Sequence, residues 1–235
     1  MGEAKKIIVK PINSKDANRL CKLWHYSGKV VPNSQLHFGV WYQGHCEGVM
    51  QYGPSMNKKG TINLVNGTSW NGFIELNRMA FSEKLPKYSE SRAISVAHKL
   101  IKKSYPHIEW VISFADGCQC GDGAIYRASG FILTNIRKNV GMWRLKSGEV
   151  ICDLILTSHK SAKIKYGMKL TESKTSFLKR INAERLKGFQ LRYIYFLNQE
   201  AKERLTVPII PFDKIKEMGA SMYLGKRIEH ESNAD

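Results

Sequence analysis

SFADGCQCGDGAIYRASGF, residues 113–131, sets an acid, two cysteines, several glycines and a tyrosine between an apolar run and a helix-like turn. Just upstream, WVISFAD (110–116) is a continuous apolar run with a polar end, the pattern of a central strand buried on both faces. Downstream, GDGAIYRASG predicts a short helix stopped by Gly130 as its C-cap, and FILTNIRK (131–138) predicts the next strand. Asp116 then stands at the carboxyl end of a central strand and Tyr126 on the following helix. Gly117, Gly121 and Gly123 form neither GxGxxG nor a P-loop, and are expected to give a flexible turn under a bulky substrate.

Working outward, KKIIVK predicts a first strand, followed by a helix capped by Asn13 or Ser14 with Ala17, Leu20 and Leu23 on one face. That helix runs out at HYSG (25–28). LHFGVWY and HCEGVMQYG predict a hairpin, and FIELNRMAF (73–81) a strand that puts Leu76, Arg78 and Ala80 opposite Glu75, Asn77 and Met79. SESRAISVAHKLIKKSYP (89–106) is the clearest helix, with Ile94, Ala97 and Ile101 in register. MWRLKSGEVICDLILT (142–157) predicts a second hairpin turning at Ser147–Gly148. From Lys160 to Arg192 there are ten Lys or Arg against two acids, Glu172 and Glu184. SKTSFLKRINAERLKG predicts a helix through Phe177, Leu178 and Ile181, FQLRYIYFLN a strand near 189–197, QEAKERL a short helix, and HESNAD a frayed end. The expected organisation is a core over 1–157 and a basic C-terminal extension over 158–235 packed on it.

A chain of 235 residues with 43% apolar content can bury a substantial core. No run has the length of a membrane span and MGEAKKIIVK has no signal-like apolar region, so a cytoplasmic location is expected. The odd, scattered set Cys21, Cys46, Cys118, Cys120 and Cys152 is read as reduced. Thirty-seven Lys and Arg against twenty Asp and Glu give a formal charge of +17 and call for an acidic partner, nucleic acid first. Lys163, Lys165, Lys169, Lys179, Arg180 and Arg185 are the candidate phosphate track, against the plain alternative of a solvated face.

The order strand, helix, hairpin, strand, helix, strand, helix, strand resembles the GNAT acyltransferase fold, an α/β architecture whose two central parallel strands splay apart. Five pieces, HYSG (25–28), ELNR (75–78), ESR (90–92), SFAD (113–116) and YRASGF (126–131), together with RYIYFLN and RLTVPIIPF, resemble the Mom family of phage DNA-modification proteins over roughly residues 20 to 213. The resemblance implies a transferase that places a carbamoylmethyl group on adenine N6 in DNA and hides phage DNA from restriction enzymes. It carries the functional roles onto His25, Tyr26, Arg78, Asp116 and Tyr126.

Those residue types suit that chemistry. The adenine N6 lone pair is delocalised into the ring, so an acceptor such as Asp116 must draw on the amine proton. A base inside a duplex is out of reach until it is flipped and stacked on a ring, for which Tyr26 or Tyr126 serves. Arg78 suits an anionic donor or a phosphate, and His25 a proton shuttle or metal ligand. Plainer readings stand beside these: Asp116 as a turn residue, His25 and Tyr26 as a helix end, Tyr126 as packing, and Arg78 as the ion-pair partner of Glu75 or Asp116.

The group donor is not named by the sequence. Fold analogy offers acetyl-coenzyme A, but FSEKLPKYSESR carries no glycine where that fold keeps its pyrophosphate turn, leaving Ser91, Arg92 and the helix-start amides to hold an anion. Cys118-x-Cys120 has neither the spacing nor the second pair of a zinc site, and His25 with Asp116 is too few ligands to define a metal. Two rivals remain: an ordinary N-acetyltransferase, opposed by the missing glycine turn, and a non-catalytic DNA-binding protein, opposed by the intact set of five residues.

Overall fold

A computed structural model describes residues 2–158, 160–223 and 225–228; HESNAD lies outside them. KKIIVK divides: residues 3–6 form a 3-10 turn and only β1 (Ile8–Pro11) is strand. Helix α1 (Ser14–Trp24) begins where the Asn13 side chain accepts from the Asp16 amide, the predicted cap. Its buried stripe is Ala17, Leu20 and Cys21, and Leu23 is exposed, because the i, i+3, i+4 face turns Leu23 to solvent. Strands β2 (Leu36–Tyr42) and β3 (His45–Gly53) form the predicted hairpin through Gln43 and Gly44, both at positive φ, which suits the strand twist.

After α2 (Lys58–Thr61) come β4 (Phe73–Phe81), α3 (Ser89–Ser104) and β5 (Trp110–Gly117), close to the predicted bounds. Ala93, Ile94, Ala97 and Ile101 of α3 are fully buried against the sheet, each isoleucine contributing about 1.5–3 kcal/mol by leaving water. The main sheet has seven strands in the order β1-β2-β3-β4-β5-β10-β6, completed by β6 (Ile132–Lys138), which follows α4 (Ala124–Ala128), and by the late strand Phe189–Phe196, numbered β10. Every pairing is antiparallel except β4 with β5. Those two pair in parallel only at Phe73–Trp110, Ile74–Val111 and Glu75–Ile112. Their remaining residues diverge, giving the splayed strands expected of a GNAT-like fold and opening a cleft toward Arg78 and Asp116.

The division at residue 157 does not hold. Between β6 and β10 lies a compact insertion of β7 (Met142–Arg144), β8 (Val150–Cys152), α5 (Leu154–Ser158), α6 (Lys160–Tyr166), α7 (Lys174–Arg180) and β9 (Glu184–Arg185). It has its own sheet, β8-β7-β9, and its own core of Ile151, Leu156, Met168, Phe177 and Leu178. The predicted second hairpin is therefore cut short after Cys152 by a helix, because Leu156 is needed in that core. β10 returns to the main sheet between β5 and β6, so the region after 188 is part of the core and the basic segment is an insertion. The chain continues through α8 (Glu200–Glu203) and α9 (Asp213–Glu217) to the small pair β11 (Met222–Tyr223) and β12 (Lys226–Arg227).

Two of the three glycines, Gly117 at the end of β5 and Gly123, are places of close approach rather than a loose turn, while a Cβ on Gly121 would meet only the Met222 carbonyl oxygen, at 3.7 Å. A Cβ on Gly117 would stand 2.6 Å from the Phe189 carbonyl oxygen, and one on Gly123, at φ +87°, would stand 2.4 Å from Cε2 of the fully buried Tyr193. Gly123→Ala is expected to destabilise the protein by about 2–4 kcal/mol, from strain at positive φ plus overpacking against a ring that has nowhere to move. The urea midpoint reads this directly, and an unshifted midpoint would show that the loop accommodates a side chain.

Candidate active site

β4 and β5 hold the two sides of a cavity of about 220 Å³, and the loop after α1, the loop after β5, α4 and the C-terminal segment close it. His25, Tyr26, Arg78, Asp116 and Tyr126, which are up to 101 residues apart in the chain, all line it. The Asp116 carboxylate is the most constrained group. Its Oδ1 accepts from the Cys118 amide at 3.0 Å and from Gln190 Nε2 at 2.7 Å, and its Oδ2 from Gln119 Nε2 at 2.6 Å and the Tyr26 hydroxyl at 3.3 Å. A carboxylate bonded at both oxygens keeps one orientation in the cleft.

His25 caps the C-terminal end of α1, its amide donating to the Cys21 carbonyl. Its Nδ1 accepts from the Ser27 amide at 3.2 Å and lies 2.8 Å from Ser27 Oγ, which leaves the ring proton on Nε2. Burial, and secondarily the Arg78 charge, lowers its pKa to about 4, so the ring is neutral at neutral pH. The Tyr26 ring packs against it at 4.3 Å, and burial of the hydroxyl together with the Asp116 charge raises that phenol's pKa. Tyr126 packs on Phe131 and Tyr193, and burial pushes its pKa up to about 12. Both tyrosines are therefore neutral proton donors.

Arg78 donates from Nε to the Lys29 carbonyl at 3.2 Å and from Nη1 to the Asn77 carbonyl at 2.7 Å. Among the described residues no carboxylate lies within ion-pair distance of it. The reading of Arg78 as a structural ion pair of Glu75 or Asp116 thus has no bond to rest on, and its charge faces the cavity. Lys29 in turn reaches the insertion, donating to the Val150 carbonyl and pairing with Glu149, both at 2.8 Å.

Several residues here were not apparent from the sequence. Gln190 meets Asp116 because β10 pairs with β5 in the register Gln190–Asp116, a long-range pairing with no local signal. Asp122, inside the opening stretch, is buried, pairs with Arg127 at 3.0 Å, donates its amide to the Met222 carbonyl and accepts the Met222 amide at Oδ2. Asp122 lies before α4 and five residues from Arg127, so no helical spacing marked the pair. Cys118 and Cys120 are free thiols whose pKa values burial raises. Only Cys120 lines the cavity.

Ser91 and Arg92 sit apart from this group. They do not line the cavity; the Ser91 hydroxyl donates to the Tyr88 carbonyl and Arg92 is exposed. The turn before α3 carries the Tyr88 side chain at φ +72°, and its Ser89 hydroxyl bonds back to Pro86, so the bare amide surface of a glycine turn is not built here. The proposed phosphate track lies on the insertion. Arg180 is held by Glu172, Lys165 by Glu149, and Arg185 stacks over Trp143 at 4.9 Å. The ammonium groups of Lys163, Lys169 and Lys179 form no ion pair among the described residues, although the Lys169 amide donates to Glu172 Oε2 at 3.2 Å. Among those residues, too, no three His, Cys, Asp or Glu side chains gather as a metal set, and no helix is long and apolar enough to cross a membrane.

A cleft between splayed parallel strands holds an oriented carboxylate, two neutral phenols and a guanidinium without a carboxylate partner among the described residues, the architecture expected of a GNAT-like fold. The chain belongs to the Mom protein family, whose profile matches residues 6–214. It is 36% identical over 210 residues to the methylcarbamoylase Mom of Escherichia phage Mu, covering 88% of this chain and 82% of that protein. Similar solved structures include the Vibrio cholerae spermidine/spermine N-acetyltransferase, at TM-score 0.47 and 7% identity over 86% of this chain and 99% of that one. The Escherichia coli ribosomal-protein-S18-alanine N-acetyltransferase matches at TM-score 0.43 and 8% identity over 82% and 95%.

Proposed function

We propose that this protein is a DNA-modifying transferase that places a carbamoylmethyl group on adenine N6 of phage DNA and so protects that DNA from host restriction. The observation that carries the reading is the Asp116 carboxylate, oriented by Gln119, Gln190 and the Cys118 amide in the cleft of a Mom-family chain. Asp116 accepts a hydrogen bond from the N6 amine of a flipped adenine and receives its proton as nitrogen attacks the donor's methylene carbon. The new N–C bond forms as the bond from that carbon to the leaving group breaks. The leaving group departs with the electron pair and takes a proton from a neutral phenol, Tyr126 by position. Arg78 holds negative charge on the donor or on the leaving group. Neutral His25 orients the site by hydrogen bonding rather than by charge.

Expression of the protein in a bacterium, followed by digestion of the DNA to nucleosides, tests the reading by mass. A deoxyadenosine heavier by one carbamoylmethyl group is expected. An acetylated cellular amine with unmodified DNA would favour the ordinary acetyltransferase.

Duplex DNA reaches the cleft across the insertion, where Lys163, Lys169 and Lys179 meet phosphates. The triple substitution Lys163→Glu, Lys169→Glu, Lys179→Glu is expected to weaken binding and lower the log–log salt slope by about 2–3, near the 0.9 per phosphate contact of duplex DNA. Fluorescence polarisation across a salt series measures it; an unchanged slope removes these lysines from the interface.

A further inference from the structure

Four large apolar side chains line the mouth of the cavity without being buried. Tyr26 is 51% exposed, Phe114 43%, Ile125 36% and Tyr223 63%. They come from four different elements: the loop after α1, β5, α4 and β11. Apolar side chains scattered singly over a surface need no explanation, but four converging on one polar-floored cavity mark a ligand site. Phe114 and Asp116, two apart on β5, project to the same side of the sheet. A planar ring entering past Phe114 thus presents its edge to the carboxylate.

Tyr223 is the unexpected member. It lies beyond residues 6–214, the stretch that matches the family profile. Its segment is nonetheless fixed to the loop that carries the site. The Asp122 amide donates to the Met222 carbonyl at 3.1 Å, the Met222 amide to Asp122 Oδ2 at 3.3 Å, and the Gly225 amide to the Cys120 carbonyl at 2.7 Å. These bonds flank Tyr223 on both sides and hold its ring over the cavity, while the ring itself stays bare. A side chain held by its backbone and left without packing is pre-organised for a partner.

We infer that Tyr223 is a base-stacking residue, which with Phe114 forms the apolar faces between which the flipped purine is held while Asp116 engages its amine edge. This rests on the proposed adenine modification and adds the C-terminal segment to the substrate site. Loss of one aromatic stacking partner corresponds to about 5- to 150-fold in affinity for the base.

The test uses the full chain and duplexes carrying 2-aminopurine opposite an abasic site, in a set of flanking sequences, with Tyr223→Ala, Tyr223→Phe and Phe114→Leu. Binding of the unsubstituted protein is expected to quench the extrahelical 2-aminopurine by stacking. Tyr223→Ala and Phe114→Leu are expected to leave it bright, and Tyr223→Phe to restore the quench. Total duplex affinity by polarisation should stay within a few-fold, since phosphate contacts dominate it. Thermal melts of the variants confirm that they are folded. Quenching by Tyr223→Ala equal to that of the unsubstituted protein, with DNA still modified in cells, overturns the stacking role and leaves the modification reading standing. Absence of both quenching and modification with the unsubstituted protein overturns both.

Discussion

Asp116→Ala is expected to slow DNA modification by a factor on the order of 10²–10⁴, the usual contribution of a positioned acid–base group, in a protein that remains folded. The size of the effect follows from the geometry. Both carboxylate oxygens are already occupied by donors from Gln119, Gln190, Cys118 and Tyr26, so the group cannot swing away, and among the described residues the one other carboxylate lining the cleft is Asp122, itself paired with Arg127. Alanine leaves two glutamine amides without an acceptor, at about 1–3 kcal/mol each if water does not replace it. Asp116 is only half-buried, which lets water enter and keeps that penalty low. Asp116→Asn separates charge from shape: its amide would face the Gln119 or Gln190 donor, and it cannot take up a proton. Both variants should show near-normal urea midpoints and modification of cellular DNA slowed by that factor. Modification at the unsubstituted rate would remove Asp116 from the chemistry.

The second large effect concerns stability in acid. His98 on α3 is 2% exposed, among the rings of Tyr52, Phe131 and Tyr195, and neither ring nitrogen has a hydrogen-bond partner among the described residues. Burial lowers its pKa to about 3. The unfolded chain binds the proton near pH 6.5 and the folded one does not, so folding stability is complete above pH 6.5 and falls as the pH drops from there toward 3. At pH 5 the loss from this residue is about 2 kcal/mol. His98→Phe keeps a ring in the cluster and has nothing to protonate. It should equal or exceed the unsubstituted protein at pH 7.5, since it also removes two unsatisfied polar atoms, and exceed it by about 2 kcal/mol more at pH 5. Urea midpoints at the two pH values measure this. The same pH dependence in both proteins would place the acid-labile group elsewhere, with His25 the next residue to test because its pKa is also depressed.

Much of the architecture was legible because it is written in local patterns. The hairpin β2–β3, the strand β4 and the helix α3 were bounded closely by alternation, by Gly44 and by the register of Ile94, Ala97 and Ile101. What failed was long-range. β10 was visible as a strand, yet nothing in FQLRYIYFLN tells that it inserts between β5 and β6 and turns the supposed extension into an insertion. Nothing in SESRAISVAHKLIKKSYP marks His98 as a core residue, and Leu23, expected on the face of Ala17 and Leu20, is carried past it by the turn of the helix.

For the site, the sequence by itself placed Asp116 at the end of an apolar strand and Tyr126 on the next helix, and the resemblance of its short words to the Mom family carried His25, Tyr26 and Arg78 to join them; all five line the cavity. Only the tertiary structure decided what those residues have around them: Gln190 across from Asp116, no carboxylate paired with Arg78 among the described residues, and Tyr223 held over the mouth by Asp122 and Cys120. The physical reason is the range of the interactions. Strand and helix periodicity act over a few residues and leave a trace in the chain, whereas a hydrogen bond between residues 116 and 190 depends on which strands become neighbours, and that is set by the packing of the whole sheet.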